Sequence, residues 1–107
     1  MEFDKILVPI SGTDADEETM RLACRLAKKN KGRIWAVYVI TVQRTLPLDA
    51  KIEPEIQKAE DILDHVEMVA EEENYQVEAE ALQAREAGPA IIDEAVERGV
   101  GLILMGI

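Results

Sequence analysis

Disulfides are the first thing this sequence has no means to make. Cys24 is its only cysteine, so no intrachain bridge is possible and a reducing compartment fits. Aromatic residues are scarce too, at 4% of 107 residues, which leaves the core to aliphatic side chains. No apolar run approaches the roughly 18 residues of a membrane-spanning helix, and the first residues lack the pattern of a secretory signal. Positive charge is short: 12 Lys and Arg stand against 22 Asp and Glu, a net charge of −10. So acidic a chain is a poor partner for nucleic acid or an anionic membrane surface. The charge argues less against polyphosphate ligands, because backbone N–H groups at a helix start bind phosphate locally. Internal repeats and low-complexity linkers are also missing. These absences leave one soluble, cytoplasmic domain over residues 1–107, long enough for a single sheet covered by a few helices.

What is present reads as strand and helix in alternation. Lys5 to Ile10 is a short apolar run that meets Pro9 and bends through Ser11-Gly12-Thr13 into a helix. That is how the first βα unit of an α/β domain begins. Thr13-Asp14-Ala15-Asp16 has the form of a capping box with Thr13 as N-cap. Ala15, Thr19, Leu22, Ala23, Leu26 and Ala27 fall on one helix face, and Gly32 stands where the helix would close. Arg33 to Ile40 is apolar on both faces, as an interior parallel strand requires. The segment from Thr41 to Glu53, with Pro47, is long for a compact domain and reads as a lid or binding loop.

Pro54 suits the first turn of a second helix, whose apolar stripe is Ile56, Ala59, Ile62, Leu63, Val66, Val69 and Ala70. Glu71-Glu72-Glu73 crowd its end, where the helix dipole disfavours anions, so that end should fray before Asn74 stops it. Gln76 to Leu82 sets Val77, Ala79 and Ala81 against Glu78 and Glu80, one dry face and one wet, as at a sheet edge. Gly88-Pro89 opens a third helix with Ile91, Ile92, Ala95 and Val96 inward and Gly99 as its stop. Gly101 to Gly106 is a fourth strand, almost wholly apolar.

The order β-α-β-α-β-α-β with right-handed crossovers predicts a three-layer α/β/α fold with a Rossmann-like parallel sheet. The polar-alternating third strand belongs outside the second, and the fourth beside the first, giving spatial order 3-2-1-4. The switch point then falls between the first and fourth strands, and the predicted crevice is lined by Pro9, Ile10, Ser11, Met105 and Gly106. In that order the fourth strand is an edge with no charge, proline or bulge signal, which soluble proteins normally cover. Either a fifth strand follows in a longer parent, or a strand of another chain takes its place.

Other candidates read more simply as structure. Asp14 and Asp16 are helix-start acids without companion metal ligands, and His65 falls on the outer face of the second helix. Cys24 lies beside a buried stripe, and Trp35 and Tyr38 fall on opposite faces of a covered strand. No Ser/His/Asp set, paired catalytic carboxylates or complete phosphate loop can be assembled, so no enzyme is expected.

Lys5-Ile6-Leu7-Val8-Pro9 followed by Gly12-Thr13, the strand closing in Tyr38-Val39-Ile40, and Gly88-Pro89-Ala90-Ile91-Ile92 before Gly101-Leu102-Ile103-Leu104-Met105-Gly106 together resemble the universal stress protein family. The resemblance runs through essentially the whole chain. It implies a five-stranded parallel sheet, here without the fifth strand, and dimerisation. It also implies a division between members that bind ATP and members that do not. In binders, an acid after the first strand and a valine ending the second contact the adenosine, and a glycine-rich loop after the fourth cradles the phosphates. By resemblance the valine is Val39, the first loop glycine is Gly106, and the acid's position is held by Ser11. Serine carries no charge and has shorter reach, and the remaining loop glycines do not follow within these residues, so weak or no ATP binding is expected.

The leading expectation is a non-catalytic regulatory or stress-response module that forms a dimer. An ATP-binding member, or one binding another adenine nucleotide, seen in part, is the alternative. A cytoplasmic domain of a larger transporter or kinase is a third. A phosphoacceptor receiver domain is rejected, because Ile10-Ser11 and Leu82-Gln83 stand where its acids belong.

Overall fold

The computed structural model describes residues 4–106. Strands β1 (Lys5–Ile10), β2 (Arg33–Thr41), β3 (Glu78–Ala84) and β4 (Leu102–Ile103) alternate with helices α1 (Ala15–Asn30), α2 (Glu53–Glu72) and α3 (Ala87–Arg98). All pairings are parallel and the sheet order is β3-β2-β1-β4. The order expected from the alternation is the order found. Helices α1 and α2 cover one face, burying Met20, Ala23, Leu63 and Val66 against Ile6, Val8 and Ile34. Helix α3 covers the other, where Ala95 meets Leu7, Trp35 and Val37. Ile6, Leu7 and Val8 have no exposed surface at all, as the middle strand of a doubly covered sheet must.

Pro9 decides where β1 parts from β4. The carbonyls of Lys5 and Leu7 accept from the N–H groups of Gly101 and Leu104, so the odd-numbered residues of β1 turn their backbone towards β4. The next of these is Pro9, which has no N–H to offer. The ladder therefore stops after Leu104. The fourth strand, expected over six residues, is two residues long, and the two chains are free to diverge beyond it. On its other side β1 pairs with β2 along its full length, from Lys5 with Arg33 to Ile10 with Tyr38.

Several local expectations are corrected. Thr13 is not the N-cap of α1; Asp14 occupies that place without a side-chain cap bond. Met20 and Cys24 are buried on α1, whereas Leu22 is half exposed, because the helix turns its 16-20-23-27 face to the sheet. Lys31, not Gly32, takes the left-handed conformation that closes α1. Gly32 is needed for another reason: a Cβ there would lie 2.8 Å from the carbonyl oxygen of Asp4.

The acidic end of α2 is tied rather than frayed. Arg21 on α1 bonds Glu72 at 2.7 Å and Glu73 at 2.9 Å, supplying the cation that the helix lacks, and Asn74 follows in the left-handed region. Strand β3 starts two residues later than the alternation suggests. The α3 stripe is narrower than expected: Ile92 is 56% and Val96 77% exposed. The segment between β2 and α2 is no lid over the β1–β4 switch point. Gln83 on β3 donates to the carbonyls of Leu48 and Ala50, both at 2.8 Å, and Arg85 donates to those of Gln43 and Val42. These bonds hold the loop to β3, two strands from β1.

Candidate functional site

The carboxyl ends of β1 and β4 are where this topology opens a crevice. Pro9 and Ile10 are buried in β1, and Ser11 and Gly12 emerge from it exposed. Gly12 has φ +83, and the successive N–H groups of Ser11 and Gly12 face the same side of the turn. A concavity of that kind is suited to an anion.

The anion is already there, and it is Asp16. Its Oδ1 accepts from the Ser11 N–H and from the Ser11 hydroxyl, each at 2.9 Å, and its Oδ2 accepts from the Gly12 N–H at 2.7 Å. Asp16 is 5% exposed, a buried carboxylate made tolerable by three donors. The Ser11 hydroxyl also lies 2.8 Å from that of Thr13. Thr13 therefore belongs to this side-chain network, while its carbonyl accepts from the Asp16 N–H. The acid of the apparent capping box reaches back, but to Ser11 and Gly12 rather than to Thr13.

The chain leaving β4 closes on the same helix turn. A Cβ on Gly106 would sit 2.8 Å from the Ala15 Cβ and 3.0 Å from the Thr19 hydroxyl, so only glycine allows this approach. Met105, beside it, is 61% exposed. Two hollows flank the start of α1. One, about 520 Å³, lies between Ala15, Thr19, Leu22, Met105 and Gly106. The other, about 160 Å³, lies between Gly12, Thr13, Glu17, Ile62 and His65. The structure thus brings Ser11 and Gly106 to one turn of α1. Val39 is not brought there; it packs on the opposite face of the sheet, with the layer of Leu7, Trp35 and Val37.

Charge around the turn is mostly spoken for. Arg21 bonds Glu17 at 2.9 Å as well as Glu72 and Glu73, and its proximity holds the Glu17 and Glu73 carboxyls below the ordinary range. His65 stands 3.7 Å from Glu17. Among the described residues no three His, Cys, Asp or Glu side chains gather as metal ligands would. Cys24 is buried, and desolvation pushes its thiol upward, the opposite of what a nucleophile needs. A third hollow, about 620 Å³, lies at the amino ends of β2 and β3 beside Gly32, Arg33, Tyr75 and Glu78, at the far end of the sheet from the crevice.

Sequence reasoning missed Asp16 as the centre of this arrangement. A detectable signal was present: an acid six residues beyond the last strand residue, Ile10, following a glycine turn, can fold back on the turn's own N–H groups.

Comparison with known proteins agrees with this architecture. The model of the universal stress protein family matches residues 2–107. A universal stress protein of Methanocaldococcus jannaschii is 27% identical over 110 aligned residues, covering 97% of this chain and 64% of that protein. The chain therefore spans less than two thirds of that relative's length. The universal stress protein of Archaeoglobus fulgidus in complex with dAMP superposes with a TM-score of 0.82 at 21% identity, over all of this chain and 83% of that one. A universal stress protein in complex with cAMP superposes with a TM-score of 0.78 at 13% identity, over 97% of this chain and 76% of that one. Both share the fold.

Proposed function

The chain belongs to the universal stress protein family, and from that premise we propose that it is a non-catalytic, cytoplasmic regulatory module of the stress response. It works by associating with a second copy along β4, and its crevice binds nucleotide weakly or not at all. The observation that carries this reading is the outer side of β4. Among the described residues that strand has β1 as its one neighbour, and Leu102, Ile103 and Leu104 bring no charge to it. Exposed apolar edges are templates for another strand. Weak nucleotide binding is supported by the turn after β1, whose two N–H groups are already bonded to Asp16.

A second reading is an adenine-nucleotide binder. Its support is the approach of Gly106 to α1, which leaves backbone rather than side chain facing the crevice, together with the dAMP and cAMP bound by the two structural relatives. One experiment separates the two. The 107-residue chain is titrated with ATP and Mg²⁺ by calorimetry while light scattering gives its mass. A dimer without saturable heat is the expected result. Saturable binding at micromolar ATP, on the order of −8 kcal/mol, sinks the first reading in favour of the second.

A further inference from the structure

We propose that the outer face of α1, centred on Leu22, meets the same face of a second copy in antiparallel and forms the helical flank of the contact between two chains. The inference rests on the association along β4 given above and names the surface beside that strand which a second copy would cover.

Leu22 is half exposed on α1, and Met105, just past β4, is more so. The hollow of about 520 Å³ lies between them. It adjoins β4, because Gly106 closes on Ala15 and Thr19 and Leu104 packs into the α1 layer. Two large apolar side chains on one hollow gain by leaving water together.

Charge selects what covers them. Glu18, Leu22, Arg25 and Lys29 recur at i, i+4, i+7 and i+11 of the helix, and all four are exposed. The stripe is acidic at its amino end, apolar in the middle and basic at its carboxyl end. Among the described residues neither Glu18 nor Lys29 has an ion-pair partner. Arg21, beside the stripe, is committed to Glu17, Glu72 and Glu73. A parallel copy of α1 would set each charge against its own kind. In an antiparallel copy Glu18 of each chain faces Arg25 of the other, because the midpoint between those positions falls beside Leu22. A two-fold axis there makes the contact twice, as an isologous interface does.

The same axis serves the strand. Antiparallel pairing of β4 with its own copy places a two-fold normal to the sheet. That rotation keeps each face of the sheet on its own side and turns α1 end for end. The two α1 helices then run antiparallel on one face of the joined sheet, with Leu22 of each chain at the hollow of the other.

The test reads the sign of the charges. Sedimentation at low ionic strength gives the dimer dissociation constant of the wild-type chain, Glu18→Arg, Arg25→Glu and the double variant. Each single reversal sets like charges together twice and is expected to weaken the dimer about tenfold or more. The double variant exchanges the two ends of the stripe and should return to within about threefold of wild type. Arg25 also stands 3.5 Å from Glu73. That pair is lost in Arg25→Glu and in the double variant alike, so its loss cannot mimic the restoration. A dimer indifferent to both single reversals, or a double variant no tighter than the singles, overturns the helical contact. The face would then belong to another occupant, such as a following segment of a longer chain, while the association along β4 stands. A monomeric wild-type chain defeats that association and the helical contact with it.

Discussion

Among the described residues the sheet has two outer strands, β3 and β4, and they are built on opposite plans. Strand β3 alternates charge with small apolar residues and anchors its glutamates: Glu78 bonds Arg33, and Glu80 bonds Arg98 at 2.6 Å. Arg98 also takes Glu94 at 2.8 Å, and both arginines lie over the Trp35 ring, at 4.8 and 5.3 Å. The loop after β2 is fastened to its far end through Gln83 and Arg85. Strand β4 has none of this. It is two residues long, bears no charge, and leads to an exposed Met105. An edge with fixed charges resists a new strand and an apolar one invites it, and the proposed association along β4 draws on that difference.

The sharpest way to break this contrast is to give β4 the charge that β3 has. Ile103→Lys is expected to shift the chain from dimer to monomer, weakening association at least tenfold by light scattering or sedimentation, about 1.4 kcal/mol or more. Because Ile103 is half-buried against the α3 side, a melt must show the variant folded. A folded variant that stays dimeric would place the contact elsewhere.

A smaller effect is expected from stripping the guard on β3. Arg98→Ala removes two carboxylate bonds and one cation over Trp35, and should lower stability by about 1–2 kcal/mol in urea unfolding. Association should stay as it was, and a change in mass would mean that β3 also serves as a contact.

The smallest effect is on acidity. Hydrogen bonding from Arg33 holds the Glu78 carboxyl below its ordinary value of 4.5. A carboxyl depressed in the folded state contributes stability that is complete above its unfolded pKa and is lost as pH falls through the folded one. Melting temperature should thus start to fall below about pH 4.5, Glu17 and Glu73 contributing in the same direction. These groups are exposed, so added salt should weaken the trend. The loss should be reduced in Glu78→Gln, and equal slopes in the two proteins would remove Glu78 from the account.

Much of this could be read in the sequence because period and punctuation agree there. Two-sided apolar runs marked β1 and β2 as interior, alternation marked β3 as an edge, and Gly99 and Asn74 stopped their helices as their conformations allow. What escaped were features set by contacts between elements. Thr13 looked like a cap because local spacing cannot show that Asp16 has nearer donors in Ser11 and Gly12. The Glu71–Glu73 run looked destabilising because Arg21, some fifty residues earlier in the chain, answers it only after α1 and α2 meet. Ile92 and Val96 satisfied the helical period, yet the sheet beneath α3 reaches only as far as Ala95 and Ile91. Val39 was placed by resemblance, which carries a position but not the face of the sheet its side chain takes.

Pro9 has one more consequence, which concerns time rather than architecture. As the chain emerges from the ribosome, β1 can pair with β2 once about forty residues are out, but its other side waits for residues 101–104. Throughout that interval a strand whose residues from Ile6 to Ile10 are buried in the finished fold has one flank unoccupied, a state open to adhesion with neighbouring nascent chains. Proline on that flank removes a donor from the waiting ladder, so a stray strand gains less by adhering there than β4 gains from its two residues and their flanking bonds. The residue that halts β4 in the mature sheet also shields β1 until β4 has been made.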